Sequence, residues 1–140
     1  MTAVDLCSRE ADVMLAPART AHEGSRFLPQ SMDRRFDHYV QLMQTDGGPE
    51  CKDHFRTHVC NYCARYRIAR PYKKNEQASI ESFNRTLRKE CVGWGKYHQE
   101  EITALTLVVE AFLEWYRGQL PRQYSRRVGF PTGWRSLPWP

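Results

Sequence analysis

The sequence predicts a mixed α/β fold in a single domain of moderate size. Short apolar segments at residues 11–15 and 39–44 are bounded by turn residues, which is typical of strands. Two longer segments, at residues 78–94 and 100–115, repeat apolar residues at steps of three and four, which is typical of amphipathic helices. A chain of 140 residues is long enough for one core.

Three short segments before residue 50 predict strands and the turns between them. Residues 1–4 and 11–15 form the first two, joined by a turn at residues 5–9. The third, residues 39–44, is stopped by Gly-Gly-Pro, which leaves Asp46 just past its carboxyl end. Active-site residues of α/β sheets gather at that end of a strand.

Two helices are predicted before residue 70. The first covers residues 18–35, and because an interior proline costs about 3 kcal/mol, Pro29 predicts a kink or break near Leu28. The second covers residues 49–66, and residues 67–71 follow as a short strand ended by proline. The second helix is expected to bury four side chains at helical spacing: Phe55, Val59, Cys63 and Tyr66.

The helix predicted from Ala78 onward has one apolar and one charged face. Its apolar stripe consists of Ile80, Phe83, Leu87, Cys91 and Trp94. The charged face sets the carboxylate of Glu81 among Asn84, Arg85 and Arg88. Taken alone, this face predicts an ordinary solvated helix surface, where a Glu81 to Arg85 pair contributes a few tenths of a kcal/mol.

The last helix and the tail divide the chain into two regions. Residues 1–116 form the predicted domain, and residues 117–140, rich in Pro and Arg, form a tail without regular structure. The final helix is assigned to packing because its stripe is regular: Ile102, Leu105, Val109, Phe112 and Trp115 or Tyr116.

Charge and hydropathy limit the partners. The chain has 21 Lys and Arg against 16 Asp and Glu, a net charge of +5 and a pI near 9.1, which suits a polyanionic partner. No apolar run approaches the roughly 18 residues needed to cross a bilayer, so no membrane association is expected.

The five cysteines are expected to be reduced thiols, because no secretory signal opens the sequence. Cys60 and Cys63, with His54 and His58 upstream, offer the alternative of a small zinc-binding module. A single Cys-x-x-Cys in a predicted helix more often supplies two small core residues.

Two acidic motifs carry a resemblance to a known family. Residues 44–50 (Gln-Thr-Asp-Gly-Gly-Pro-Glu) and residues 74–90 resemble the integrase core shared by bacterial insertion-sequence transposases and retroviral integrases. In that superfamily a second Asp and a Glu are separated by about the interval between Asp46 and Glu81. The Asp and Ser-Arg of residues 2–10 are similar to the family's second strand, and the resemblance extends to about Tyr116.

The resemblance implies a ribonuclease-H-like mixed sheet with flanking helices, lacking its first strand. That strand is central in the family and carries the first catalytic Asp, and it would fall before Met1. Its loss unpairs the edges of two neighbouring strands, so a non-native sheet or poor solubility is expected.

The resemblance also implies a function on DNA. Asp46 and Glu81 would be the catalytic residues and the ligands of Mg²⁺ or Mn²⁺ in a polynucleotidyl transferase that cuts and joins DNA. Without the first Asp, this chain alone is expected to be inactive. The residues expected to contact DNA are Lys73, Lys74, Asn75, Arg85, Arg88 and Lys89.

Further expectations follow from the family. The chain would act as a homo-oligomer in the bacterial cytoplasm, associated with the nucleoid. The alternative is a non-catalytic remnant of a transposase that binds DNA or another subunit.

Overall fold

The fold is mixed α/β, with four α-helices and two separate two-stranded sheets in the part of the chain that is described. The structure is a computed structural model and describes residues 1–70 and 73–119, except for the side chains of Lys74 and Gln119. The tail predicted for residues 117–140 therefore lies almost entirely outside the described residues. No helix within the described ranges is long and apolar enough to cross a membrane.

The first sheet is an antiparallel hairpin of β1 (Thr2–Val4) and β2 (Ala11–Val13). Both strands confirm the sequence prediction, although β2 ends two residues earlier than expected. The connecting turn is organised by Asp5, whose carboxylate accepts hydrogen bonds from the backbone N–H groups of Cys7 and Ser8. The turn therefore has a defined shape.

The second sheet is a parallel pair of β3 (Val40–Thr45) and β4 (Cys63–Ile68). Its register places Val40 opposite Cys63 and Thr45 opposite Ile68. Both strands therefore end at the same edge of the sheet. β3 was predicted almost to the residue, whereas β4 begins four residues before the strand predicted at residues 67–71.

Helix α1 (Ala21–Arg35) connects the two sheets. It begins three residues later than predicted, because the Thr20 side chain caps it by accepting a hydrogen bond from the backbone N–H of Glu23 at 3.3 Å. Pro29 lies inside the helix without interrupting it, so the expected break near Leu28 is wrong. Side chains on both sides of the proline are buried in the core, which stabilises the helix around it: Phe27, Leu28 and Met32.

The long helix predicted for residues 49–66 is wrong. The chain instead forms a 3₁₀ turn (Pro49–Cys51), the short helix α2 (His54–His58) and a second 3₁₀ turn (Val59–Asn61) before β4. Backbone pairing with β3 takes the last part of the segment into the sheet. The buried residues were nonetheless identified in part: Phe55, Val59 and Cys63.

Helix α3 (Ala78–Leu87) continues into a π-helical turn at Arg88–Val92. Its predicted stripe is confirmed for the buried Phe83 and Leu87 and wrong for Trp94, which is 71% exposed. The wider π turn, followed by Gly93 at φ +72°, directs the chain away from the helical path before it reaches Trp94. Helix α4 (Ile102–Gln119) confirms the last predicted helix.

The core consists of two clusters of buried side chains. One packs α3 and α4 on the first sheet through Ala11, Val13, Phe83, Leu87, Val109, Phe112 and Leu113. The other packs α1 and α2 on the second sheet through Leu28, Met32, Phe55, Val59 and Cys63.

A network of ion pairs joins α1 to the first sheet and to α4. Asp12 on β2 is completely buried, and its Oδ1 lies 2.6 Å from Nη2 of Arg34. Nη1 of Arg34 lies 2.6 Å from Glu110 of α4. Arg35 extends the network to Glu110 at 3.0 Å and to Glu114 at 2.7 Å. The network fixes α1 against two other elements.

Candidate functional site

Asp46 lies immediately after β3, as predicted, and its side chain is half exposed. The backbone N–H of Gly48 donates a hydrogen bond to its Oδ1 at 2.9 Å. Gly47 supplies the turn, since its φ is +74° and a Cβ there would lie 2.9 Å from Cγ2 of Ile68. Asp46 therefore presents its carboxylate at the edge where both parallel strands end.

Arg19 is a neighbour that the sequence analysis missed. Its Nη2 lies 2.6 Å from Oε1 of Glu50 and 3.8 Å from Oδ2 of Asp46. Burial raises the pKa of the Glu50 carboxyl, but hydrogen bonds from Arg19 and from a backbone N–H, with the Arg19 charge, outweigh it and lower the pKa below 4.5. Glu50 therefore remains a carboxylate bound to Arg19. The sequence did not predict this pair, because no spacing rule connects two residues so far apart in the chain.

Gln44 connects this strand edge to the segment that leads into α3. Its Nε2 donates a hydrogen bond to the backbone carbonyl of Glu76 at 2.7 Å, and its Oε1 accepts one from Nε of Arg67 at 2.6 Å. Glu76 also accepts hydrogen bonds from the backbone and the guanidinium of Arg70 just after β4. These contacts hold the 3₁₀ turn Lys74–Glu76, five residues before Glu81, at the strand edge that carries Asp46.

Glu81 is an exposed residue in the first turn of α3. Arg85 and Arg88 are exposed and follow it at helical spacing, while Asn84 is half-buried. In the described part of the chain, Glu81 forms no ion pair within 4.0 Å, so the ordinary Glu81 to Arg85 pair is not formed. Its carboxylate is open to solvent.

The basic residues predicted to contact DNA occupy different settings. Lys73 is exposed, Asn75 is exposed in the 3₁₀ turn, and the Lys74 side chain lies outside the description. The guanidinium of Arg88 lies 5.7 Å from the ring centroid of Trp94, a cation–π distance. Nζ of Lys89 lies 3.6 Å from Oε1 of Glu90. All the described members of this set can reach solvent.

The described part of the chain groups too few acidic side chains for a three-ligand metal site. Within residues 1–70 and 73–119, no three or more His, Cys, Asp or Glu side chains are grouped to hold an ion. Carboxylate oxygens are the ligands that Mg²⁺ and Mn²⁺ prefer, so Asp46 and Glu81 are chemically suitable. Glu50, which shares Arg19 with Asp46, is already bound by that guanidinium at 2.6 Å. Two carboxylates do not complete a two-ion site.

The cysteine pair is arranged for packing and not for zinc. Cys63 is buried at the start of β4, and its thiol donates a hydrogen bond to the backbone carbonyl of Val59 at 3.4 Å. Burial raises the pKa of the Cys63 thiol, whereas zinc binds the thiolate. Cys60 is exposed on a 3₁₀ turn. This geometry does not favour a zinc site.

Comparison with protein-family models and with curated proteins gave no match to the chain. The chemistry of the site follows from its own groups. Asp46 and Glu81 each present an exposed carboxylate, the type of group that a hard divalent cation prefers, and the exposed Arg85 and Arg88 on the helix of Glu81 can contact phosphate oxygens.

Proposed function

We propose that residues 1–116 are part of an integrase core of the insertion-sequence transposase type, which acts on DNA with a divalent metal ion. One observation carries the proposal: Asp46 directly follows a parallel strand, and Gln44 of that strand is hydrogen-bonded to the turn before the helix of Glu81. This contact holds the turn that leads to Glu81 at the strand edge that Asp46 follows, which supports a common role for the two acidic motifs.

The proposed fold is a ribonuclease-H-like sheet that lacks its first, central strand. A sheet without a central strand divides into two smaller sheets. An antiparallel pair (β1 and β2) and a parallel pair (β3 and β4) in two separate sheets support this view. Such an arrangement leaves edges whose backbone groups lack a neighbouring strand.

Asp46 and Glu81 are the proposed ligands of Mg²⁺ or Mn²⁺. When bound, the ion would polarise a phosphate and lower the pKa of an attacking water. The chain's own contribution is to hold the two carboxylates and to align the phosphate backbone with its cations. Because a third carboxylate is not grouped with them in the described residues, DNA binding is expected and DNA cleavage by this chain alone is not.

The proposed partners are DNA and further copies of the chain. DNA phosphates would contact the exposed cations near α3, and the net charge of +5 would strengthen that contact at low salt. The proposed contact residues are Lys73, Lys74, Asn75, Arg85, Arg88 and Lys89.

A non-catalytic DNA-binding or subunit-interaction protein is the second candidate. The incomplete acidic group favours it, because binding to phosphates needs the cations and not the metal. The two candidates differ in their response to Mg²⁺ and to the acidic residues.

The test is the anisotropy of a fluorescent DNA duplex titrated with the chain, in Mg²⁺ and in EDTA. The double variant Arg85→Gln, Arg88→Gln should weaken binding about tenfold at low salt and reduce its salt dependence. Arg26→Gln on α1, where Arg26 pairs with Glu23, is the matched control and should bind as the parent does. Absence of binding by the parent, or equal loss in the control, contradicts the proposal.

The acidic residues distinguish the two candidates in the same assay. If the metal joins Asp46 and Glu81 at the DNA, Mg²⁺ should strengthen binding by the parent, and Asp46→Asn or Glu81→Gln should abolish that gain. If the chain binds DNA without metal, both variants should bind equally well or better in EDTA, because each removes a negative charge.

A further inference from the structure

A concave site lies on α3 beside a set of residues that does not include Glu81. It is a cavity of about 250 Å³ between the β1–β2 turn, α3 and α4. Its polar lining consists of Arg9, Ser79, Ser82, Thr86 and Tyr116, over an apolar floor that includes Phe83. Among the described residues that line it there is no carboxylate, so its chemistry favours an anion over a metal ion.

Arg9 brings an uncompensated positive charge to this cavity. Within the described residues, its exposed guanidinium takes part in no ion pair and no hydrogen bond. The neighbouring carboxylate of Glu10 does not neutralise it, because Glu10 pairs with Nε of Arg117 at 3.0 Å. The charge is therefore available to a ligand.

The backbone at Arg9 is strained and held in place. Its φ is +65°, in the left-handed region that residues with a Cβ seldom occupy. Hydrogen bonds fix the turn on both sides: Asp5 accepts from the N–H groups of Cys7 and Ser8, and Oγ of Ser8 accepts from the N–H of Glu10 at 3.2 Å. Strain maintained by its surroundings is typical of functional positions.

The hydroxyl groups complete a lining rich in hydrogen-bond donors. Ser79 and Ser82 lie on the face of α3 that lines the cavity, and Oγ1 of Thr86 is occupied by a hydrogen bond to the carbonyl of Ser82. Burial raises the pKa of the Tyr116 hydroxyl despite the opposing charge of Arg9, so Tyr116 stays a neutral donor at pH 7.

We propose that this cavity, the Arg9 pocket, binds a phosphate group. One guanidinium and several hydroxyl donors around a small cavity suit a tetrahedral oxyanion. The phosphate is that of a DNA backbone, an assignment of its source that depends on the proposed function. The pocket would then hold DNA on a side of α3 separate from the proposed metal ligands.

The test is a titration of the isotope-labelled chain with inorganic phosphate at constant ionic strength, followed by amide NMR signals. Phosphate should shift the signals of Arg9, Ser79 and Ser82, with chloride as the reference. Arg9→Gln should weaken phosphate binding by about tenfold or more, and Arg26→Gln should leave it unchanged. Unshifted pocket signals, or parent-like binding by Arg9→Gln, overturn the proposal.

Arg9→Gly separates loss of the site from loss of folding. Glycine adopts a positive φ without strain, so this variant should melt at the parent's temperature or above while losing phosphate binding. Phosphate binding that survives in Arg9→Gly overturns the proposal.

A second titration with a DNA duplex tests the source of the phosphate. DNA should shift the same pocket signals and compete with inorganic phosphate. If DNA binds the chain but leaves these signals unmoved, the assignment to DNA is overturned while the phosphate pocket stands. Failure of the proposed function is distinguishable, because no signal anywhere would then respond to DNA.

Discussion

The side-chain amide of Gln44 donates a hydrogen bond to the backbone carbonyl of Glu76 at 2.7 Å. The same side chain accepts a hydrogen bond from Arg67 of β4. One residue therefore joins β3, β4 and the turn that precedes α3. Since Gln44 lies two residues before Asp46, this connection holds the turn before α3 at the strand edge that Asp46 follows.

Replacing Gln44 by Ala should destabilise the fold by about 1–2 kcal/mol, because a half-buried amide loses two hydrogen bonds. Urea unfolding of Gln44→Ala and of the parent measures the change. Gln41→Ala, at an exposed position of β3, is the matched control and should lie within about 0.5 kcal/mol of the parent. Equal effects of the two substitutions would contradict the assigned connection.

Gly24→Ala should destabilise the protein strongly. A Cβ at Gly24 would lie 1.9 Å from the backbone carbonyl oxygen of Glu50, so α1 must move away from the Pro49–Cys51 turn. Overpacking of this kind costs about 1–3 kcal/mol or more. Thermal unfolding should show a clear drop in melting temperature.

Gly118→Ala is the control for that substitution. A Cβ at Gly118 meets nothing within 4 Å, and the residue lies in the last turn of α4. Replacing an exposed helical glycine by alanine should stabilise the chain by up to about 1 kcal/mol. If both glycine variants shift the melting temperature in the same direction, the close contact between α1 and Glu50 is wrong.

Asp12→Asn should cost about 2 kcal/mol or more. Asp12 is fully buried, and its replacement by a neutral amide removes the charge that pairs with Arg34 at 2.6 Å, while Arg34 keeps its contact with Glu110. The matched control is Asp33→Asn, whose side chain is 78% exposed and lies 3.4 Å from His38. Denaturant unfolding should give clearly different free energies of unfolding for the two variants. An Asp12→Asn variant as stable as the parent would show that the network contributes no stability.

Stability should fall in acid. The hydrogen bond from Arg35 lowers the pKa of Glu114 below 4.5, and Arg19 has the same net effect on the pKa of Glu50. Carboxyls with a lowered folded-state pKa stabilise the fold above their unfolded pKa, and this contribution is lost as pH falls through the folded pKa. Melting temperatures should therefore be level near pH 7 and decline below about pH 5.

A single substitution isolates the contribution of Glu114 to that decline. Glu114→Gln should melt lower than the parent at pH 7, and the difference should narrow as the pH falls. Glu100→Gln is the control, since Glu100 is exposed and has no ion pair in the described part of the chain. A constant difference between Glu114→Gln and the parent across the pH range would contradict the assigned ion pair.

Strong periodicity made α4 and the core face of α3 predictable. Leu105, Val109 and Phe112 recur at helical spacing, and burial follows that spacing. The same helical spacing occurs at Phe55, Val59 and Cys63, yet Cys63 is the first residue of a strand. A local sequence pattern does not reveal the pairing of β4 with β3, because that pairing joins distant parts of the chain.

The acidic positions were partly accessible to sequence reasoning. Asp46 was placed correctly because Gly-Gly-Pro marks the end of β3. Arg19 was missed because its partner Glu50 is far away in sequence and no periodic signal connects them. Arg9 was noticed only as part of a motif, since its positive φ and its cavity appear only in the folded chain.

The measurement that tests the central claim most directly is a Mn²⁺ titration of the isotope-labelled chain, followed by paramagnetic broadening of amide signals. If Asp46 and Glu81 share one ion, the signals of Gly47 and Ser82 should broaden together at the same Mn²⁺ concentration. Either substitution, Asp46→Asn or Glu81→Gln, should abolish the broadening of both signals. Broadening at only one of the two segments, or broadening that persists in both variants, would contradict the claim that these residues form one metal site.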